Sequence, residues 1–151
     1  MQFPTAILPS TFTLFHITRY SGTYRGRIFE GVTANWLSGF HGGGAAKAYH
    51  DGWITQQSNT YYGRNWQMTM DQNSRARFNK GDYEATGGGG TSKQLSINYG
   101  NWTGAAGATG GTNEVSDWQC AEVIVYNRTL TSNEYQDVEN YLDNKYQFTY
   151  F

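Results

Sequence analysis

Residues 116–148, SDWQCAEVIVYNRTLTSNEYQDVENYLDNKYQF, carry the pattern that decides the fold class. The run DWQCAEVIVY is the most apolar predicted strand of the chain. Thr131 and Glu134 form a capping box that begins a helix, and Leu130 with Tyr135 supplies the hydrophobic staple. An apolar stripe then continues at helical spacing: Val138, Tyr141, Leu142 and Tyr146. The segment predicts a strand followed by one C-terminal helix that packs on a sheet.

In the rest of the chain, apolar and polar residues mostly alternate with a period of two, as they do in β-strands. TFTLFHITRY, residues 11–20, is apolar on both faces, as a central strand is. NWQMTMD, residues 65–71, places Trp66, Met68 and Met70 on one face. Further strands are predicted in RGRIFEG, NWLSGF, AAKAYH, WITQQ, SRARFN, DYEAT and KQLSINYG, with tight turns at Asp51–Gly52 and at residues 79–81. The chain is therefore predicted to be an all-β protein with one helix.

Length and composition favour a single β-rich domain over residues 1–151. Aromatic residues make up 17% of the chain and charged residues 15%, a balance that suits both a β-sheet protein and glycan recognition. The net charge of −1 gives no basic footprint for nucleic acid. No segment reaches the ~20 apolar residues of a membrane span. The single cysteine, Cys120, is interpreted as a small buried residue.

The C-terminal segment resembles the closing part of laminin-G-like, concanavalin A-like domains. In that family a strand of the "aEvivyNr" type precedes a helix of the "Ls..E...ve.YL...Y" type, and this chain matches it at Glu122, Tyr126, Asn127, Arg128, Leu130, Glu134, Tyr141, Leu142 and Tyr146. The opening FTLFHITRYSGTYRGRIFEG resembles the family's "fTlf.v.r" strand and the strand after it. The middle of the chain is similar to a subgroup associated with large viruses and environmental sequences.

The resemblance implies a two-sheet antiparallel jelly-roll sandwich with one C-terminal helix, a scaffold shared by lectins, laminin G modules and some glycanases. Such a fold does not fix a function. Domains of this family carry two or three further strands before the opening strand, whereas this chain starts almost on it. We therefore expect either that the chain is cropped from a longer protein or that another chain completes the sheet.

A catalytic role finds little support in the sequence. Glycanases on this scaffold place two carboxylates on one strand face, and only Asp82 and Glu84 are acidic residues two apart in a predicted strand. The three histidines, His16, His41 and His50, lack the spacing of a metal site or of a nucleophile–base pair. The chain is predicted not to be an enzyme.

Calcium is a minor option, because related sandwiches often hold this ion through loop oxygens. The best oxygen donors near predicted turns are Asp71, Asn73 and Asp117. They form no dense acidic cluster, and turn formation explains Asx residues at such positions equally well. No other cofactor is expected.

The candidate ligand-binding residues lie in GVTANWLSGFHGGGAAKAYHDGWITQ, residues 31–56. The turn at Asp51–Gly52 is expected to set His50 beside Trp53 at the rim of a sheet, with His41 and Tyr49 nearby. An exposed aromatic ring flanked by polar side chains is typical of a small-ligand site. The alternative is that Trp36, Trp53 and Trp66 are core residues, and alternation allows only one of Trp36 and Leu37 to be buried.

Two classes of function follow from these patterns. The first is a non-catalytic, lectin-like module that binds glycans or cell-surface carbohydrate on an extracellular or virion-surface protein. The second is a structural capsid or fibre module that acts through self-association or through association with the rest of a parent protein. A glycan-active enzyme is a distant third.

Overall fold

The computed structural model describes residues 1–56, 61–62, 65–88, 93–99 and 114–147. In these residues the chain forms ten strands and one α-helix. The strands are β1 (Thr13–Arg25), β2 (Phe29–Gly31), β3 (Trp36–His41), β4 (Gly44–His50), β5 (Tyr61–Tyr62), β6 (Gln67–Gln72), β7 (Arg75–Phe78), β8 (Tyr83–Thr86), β9 (Leu95–Ile97) and β10 (Ser116–Tyr126). The helix, α1, spans Ser132–Tyr146.

The strands form two antiparallel sheets. The first sheet has the order β10-β1-β6-β7-β8 and the second has the order β5-β4-β3-β2-β9. β1 pairs with β10 on one side and with β6 on the other, which explains why both of its faces are apolar. The predicted fold class, a two-sheet antiparallel sandwich with one C-terminal helix, is confirmed.

The main core lies between the two sheets. Leu14 and Tyr20 of β1 pack there against buried residues of the second sheet, among them Phe29, Trp36 and Phe40. Trp36 is fully buried and meets the ring of Phe12 edge to face at 6.1 Å. The inner faces of the two sheets thus share one core, as in a β-sandwich.

The outer face of the first sheet is covered by α1. Phe15 and Ile17 point to the side of β1 opposite Leu14 and pack with Leu130, Tyr135 and Leu142. Met68 and Met70 join this cluster, and Trp66 packs against it while staying partly exposed. Trp66, Met68 and Met70 therefore share one face, as predicted, and strand β6 with the first half of β1 is buried on both faces.

The start of α1 follows the sequence prediction. The N–H and the hydroxyl of Thr131 donate to the Glu134 carboxylate at 2.8 and 2.9 Å, and the predicted capping box is present. Leu130 and Tyr135, the predicted staple, are buried in one cluster. The stripe itself differs from the prediction at Tyr141, which is 50% exposed.

In place of Tyr141, the packed face of α1 contains a charged residue, Glu139. Glu139 is 2% exposed and receives a hydrogen bond from Nε of Arg77 at 2.9 Å. Burial raises the pKa of Glu139, and the bond to Arg77 opposes that shift. The packed face of α1 therefore runs through Tyr135, Glu139, Leu142 and Tyr146, at the same helical spacing as the predicted stripe but with a carboxylate in it.

Two further expectations are wrong. WITQQ forms no strand in its described residues, 53–56, because Trp53 makes only an isolated bridge to Tyr49 before the chain leaves the sheet. Trp36 and Leu37 are both buried, although they point to opposite faces of β3. Leu37 is covered on the outer face of the second sheet, so alternation assigns the face there but does not predict exposure.

The sheet edges differ in how they are covered. The first residues of the chain run along β9, where the N–H of Phe3 donates to the carbonyl of Leu95 at 2.9 Å and the N–H of Lys93 donates to the carbonyl of Leu8 at 2.8 Å. β10 pairs with β1 along one side, and no other described strand pairs with its second side. No described helix has the length and apolar character needed to cross a bilayer.

Candidate functional site

The register of the second sheet aligns a row of side chains across its outer face. Cross-strand partners point to the same face, and the pairs Ser96–Glu30, Glu30–Leu37 and Leu37–Tyr49 are adjacent in the register. The bridge from Tyr49 to Trp53 extends the row by one more residue. The row changes along its length from buried side chains to the partly exposed Tyr49 and Trp53.

Three rings meet at the exposed end of this row. The ring of Trp53 lies 5.3 Å from that of Tyr49 and 5.4 Å from that of His41, both in edge-to-face arrangements. Edge-to-face contacts of this kind fix the rings relative to one another. The tight turn after β4 positions Trp53, with Asp51 in the left-handed region at φ 56°. We call His41, Tyr49 and Trp53 the aromatic cluster.

A charged group borders the aromatic cluster. Nε2 of His41 lies 3.2 Å from Oε1 of Glu114, and Nε of Arg27 lies 2.6 Å from Oε2 of the same carboxylate. The hydrogen bond with His41 and the charge of Arg27 lower the pKa of Glu114 against the effect of partial burial. Arg27 also donates to Oδ1 of Asn35 at 2.9 Å. The carboxylate is therefore ionised and held in place beside the rings.

This arrangement can bind a ligand that has both an apolar face and hydroxyl groups. The partly exposed ring of Trp53 offers a stacking surface, and Glu114, with 34% of its side chain exposed, offers acceptor oxygens. His41, whose side chain is 28% exposed, reaches the same region. Rings fixed by mutual contacts lose little freedom when a ligand binds.

His50, one of the predicted ligand-binding residues, lies elsewhere. Its side chain is fully buried between the sheets, where Nε2 lies 3.1 Å from Oδ2 of Asp71 and Nδ1 lies 3.1 Å from the carbonyl of Asn73. The expected pairing of His50 with Trp53 is displaced by one residue, because Tyr49 is the partner of Trp53. A displacement by one residue turns a side chain to the other face of the sheet. His50 therefore packs on Trp36, at 6.0 Å between ring centroids.

Asp51 is exposed at the turn, and its N–H donates to the carbonyl of Asn35 at 3.2 Å. Its charge acts on Lys93, whose pKa is lowered by burial, while Asp51 and Asp71 oppose that shift. The structure thus relates Asp51 to the buried charges near His50, and not to the rings of the aromatic cluster.

Of the three calcium candidates, Asp71 and Asn73 both lie against the buried His50 ring, and Asp117 lies on β10. Asp71 is buried against His50, and Oδ1 of Asn73 lies 3.5 Å from Nζ of Lys93. Asp117 lies on β10, where its Oδ2 accepts the N–H of Tyr24 at 3.0 Å. Among the described ranges no group of three His, Cys, Asp or Glu side chains is arranged to hold a metal ion. Calcium binding at any of these residues stays a prediction.

The weak catalytic candidates are also placed by the structure. Glu84 on β8 forms ion pairs with Arg75 at 3.0 Å and with Arg77 at 3.0 Å. Asp82 lies in the turn before β8. A carboxylate held by two guanidinium groups stabilises the sheet and is poorly suited to be a nucleophile or an acid.

Arg27 and Glu114 were missed by the sequence analysis. They are far apart in the chain, and each is a single charge in a stretch of mixed composition. The backbone bond from Arg27 N–H to the Glu114 carbonyl, at 2.7 Å, brings the segment before β10 to the segment before β2. No local pattern in the sequence signals such a contact.

Comparison with protein-family models, curated proteins and solved structures found no match to this chain.

Proposed function

We propose that this chain is a non-catalytic carbohydrate-binding module whose ligand lies against the aromatic cluster on the outer face of the second sheet. The observation that carries the proposal is the partly exposed Trp53 held edge to face by Tyr49 and His41, beside the Glu114 carboxylate. Saccharides present C–H faces that stack on aromatic rings, and their hydroxyl groups bind to carboxylates and imidazoles. The resemblance to laminin-G-like domains supports the same proposal.

The setting we propose is an extracellular or virion-surface protein that recognises cell-surface glycans. Glu84 and Glu139 are both engaged in ion pairs with arginines, which favours binding over hydrolysis as the role of this module. A glycan array probed with the purified protein, with and without calcium, tests the binding and its dependence on the ion.

Replacing Trp53 with alanine is expected to weaken glycan binding by roughly two- to tenfold, since ring stacking contributes roughly 0.5–1.5 kcal/mol beyond area burial and 1.4 kcal/mol corresponds to a factor of ten. Isothermal titration with the best array ligand measures the loss. Tyr141→Ala is the matched control, because Tyr141 is an exposed aromatic residue on α1, which covers the other sheet. Equal effects of the two changes, or full binding by Trp53→Ala, would contradict the proposal.

A second function, self-association, is favoured by β10. This strand is 11 residues long, and no described strand pairs with its outer side. Its side chains that pack on the main core, Trp118, Cys120, Val123 and Val125, remain partly exposed. An edge with free backbone groups and apolar side chains favours pairing with another strand. We propose that it pairs with a second copy of this chain or with a segment of a parent protein.

Sedimentation equilibrium across a wide range of concentrations tests this second function. We expect a monomer–dimer equilibrium, because the side of β10 that pairs with no described strand can add a strand from a second copy. A monomer at every concentration would rule out pairing between copies of this chain.

A further inference from the structure

A cleft of about 590 Å³, lined mainly by polar groups, lies at the end of the β1–β10 pair, and none of the three residues of the aromatic cluster lines it. Its walls include two guanidinium groups, Arg19 and Arg25, with the side chains of Ser21, Thr23 and Gln119.

The cleft is created by an irregularity in β1. Tyr20 pairs with Trp118 and Arg25 pairs with Ser116, so five steps on β1 face two steps on β10. The three extra residues bulge out of the sheet. Bulges of this kind redirect side chains and are frequent beside functional sites.

The bulge is held by specific contacts. The Asp117 carboxylate accepts the N–H of Tyr24 at 3.0 Å, and Gly22 lies so close to Asp117 that a Cβ there would collide with the carboxylate. Nε of Arg25 donates to the carbonyl of Gly22 at 3.2 Å, and the carbonyl of Arg25 accepts the N–H of Gly43 at 2.8 Å. The residues around the cleft are therefore positioned before any ligand binds.

Both arginines keep binding capacity. Arg19 uses Nε to donate to Gln119 at 2.7 Å, and its guanidinium lies 4.8 Å from the ring centre of Trp66. Arg25 also uses Nε, toward Gly22. Within the described residues neither guanidinium has a carboxylate at ion-pair distance, Asp117 included. The terminal nitrogens of both groups thus remain for a ligand.

We propose that this cleft binds an oxyanion, a sulfate or carboxylate group carried by an acidic saccharide. A guanidinium group binds such oxygens with two parallel hydrogen bonds, and the hydroxyl groups of Ser21 and Thr23 add neutral donors at the same cleft. The choice of a saccharide as the carrier rests on the proposed function. The assignment of an oxyanion rests on the cleft alone.

Titration calorimetry at physiological salt with three oligosaccharides of equal length tests the assignment: a sulfated dextran, a polygalacturonate and neutral dextran. We expect binding of the sulfated probe, the carboxylate probe or both, and none of neutral dextran at the cleft. The two acidic probes distinguish sulfate from carboxylate. Arg19→Gln and Arg25→Gln should each weaken binding about 10–100-fold, as expected for charged hydrogen bonds of roughly 1.5–3 kcal/mol.

Two substitutions separate specific recognition from general attraction. Arg25→Lys keeps the charge but loses the two-pronged geometry, so we expect it to lose most of the binding. Lys80→Gln removes one exposed positive charge at the β7–β8 turn, where Lys80 pairs with Asp143, and should leave binding within about twofold. Loss of binding by Lys80→Gln equal to that of Arg25→Gln, or no preference for an acidic probe, would overturn the assignment.

Folding of each variant is checked by its thermal melt. If an arginine variant fails to fold, Ser21→Glu replaces it, because this exposed residue places a carboxylate in the cleft without removing an arginine. One possible outcome is that neutral glycans bind, that Trp53→Ala loses this binding while the arginine variants keep it, and that no acidic probe binds. This outcome rules out the cleft as a binding site and leaves the aromatic cluster as the glycan site. Acidic binding that is insensitive to Trp53→Ala but lost in the arginine variants assigns the acidic probe to the cleft, and the aromatic cluster is then judged by neutral-glycan binding alone.

Discussion

Replacing Trp36 with alanine is expected to lower the free energy of unfolding by about 3–5 kcal/mol, the range for removing a large aromatic residue from a core. Trp36 is fully buried between the sheets, edge to face with Phe12 and stacked on His50. Its neighbours belong to hydrogen-bonded strands, which limits how far they can close the cavity. Urea unfolding followed by circular dichroism measures the change in midpoint.

Trp53→Ala is the matched control, since it removes the same side chain from a partly exposed position in the same hairpin region. Its loss of stability is expected to stay below about 1.5 kcal/mol, because burial of the ring contributes in proportion to the area removed from water. Equal losses for the two variants would show that Trp53 is a core residue, and the aromatic cluster would then be structural.

Most of the strands were predictable because they pair over several residues and bury at least one face, whereas the two-residue strand β5 was not predicted. β1 was identified as a central strand from apolar residues on both of its faces, and pairing with β6 and β10 is the reason for that pattern. WITQQ shows the limit. Its alternation is as good as that of a strand, but Trp53 meets Tyr49 through a single bridge, and no local signal records how long a pairing continues.

The candidate site was predicted in part. His41, Tyr49 and Trp53 meet at one place, whereas His50 faces the interior, because the pairing across the turn is one residue away from the expected one. Turn type fixes the register of a hairpin, and Asp51–Gly52 alone does not specify whether two or three residues form the loop. Whether these residues bind a glycan stays a prediction.

The hydropathy patterns of the sequence did not predict which polar residues are buried. Glu139 interrupts an apolar stripe and is buried only because Arg77, on a strand far away in sequence, provides the opposite charge. The buried Lys93 lies near the side-chain oxygen of Asn73, and the negative charges of Asp51 and Asp71 stabilise its ammonium group. A hydropathy pattern assigns such residues to the surface because it contains no information about partners.

His16 is the clearest buried polar residue. Its ring lies in the middle of the sandwich, stacked on Phe29 at 4.2 Å, with Nδ1 at 2.9 Å from the hydroxyl of Thr18 and Nε2 at 3.1 Å from that of Ser38. Among the described residues no carboxylate bonds to the ring. Burial lowers the pKa of His16 to about 3, because the surroundings do not solvate a positive charge.

Stability should therefore fall as the pH is lowered from 7 to 5. In the unfolded chain His16 takes up a proton near pH 6.5, whereas in the folded chain the His16 ring stays neutral down to about pH 3. Acid therefore favours the unfolded state. One pKa unit corresponds to 1.36 kcal/mol, and the loss attributable to His16 at pH 5 is about 2 kcal/mol.

Urea unfolding of the wild type and of His16→Gln at pH 7, 6 and 5 isolates this contribution, since all other groups are shared. Glutamine keeps a neutral polar side chain between Thr18 and Ser38 but does not titrate. Whatever its size at pH 7, the difference in the free energy of unfolding between the two proteins should be about 2 kcal/mol smaller at pH 5. The reason is that only the wild type takes up a proton at residue 16 on unfolding. Parallel stability curves would show that the ring is reached by water and charges in the folded state.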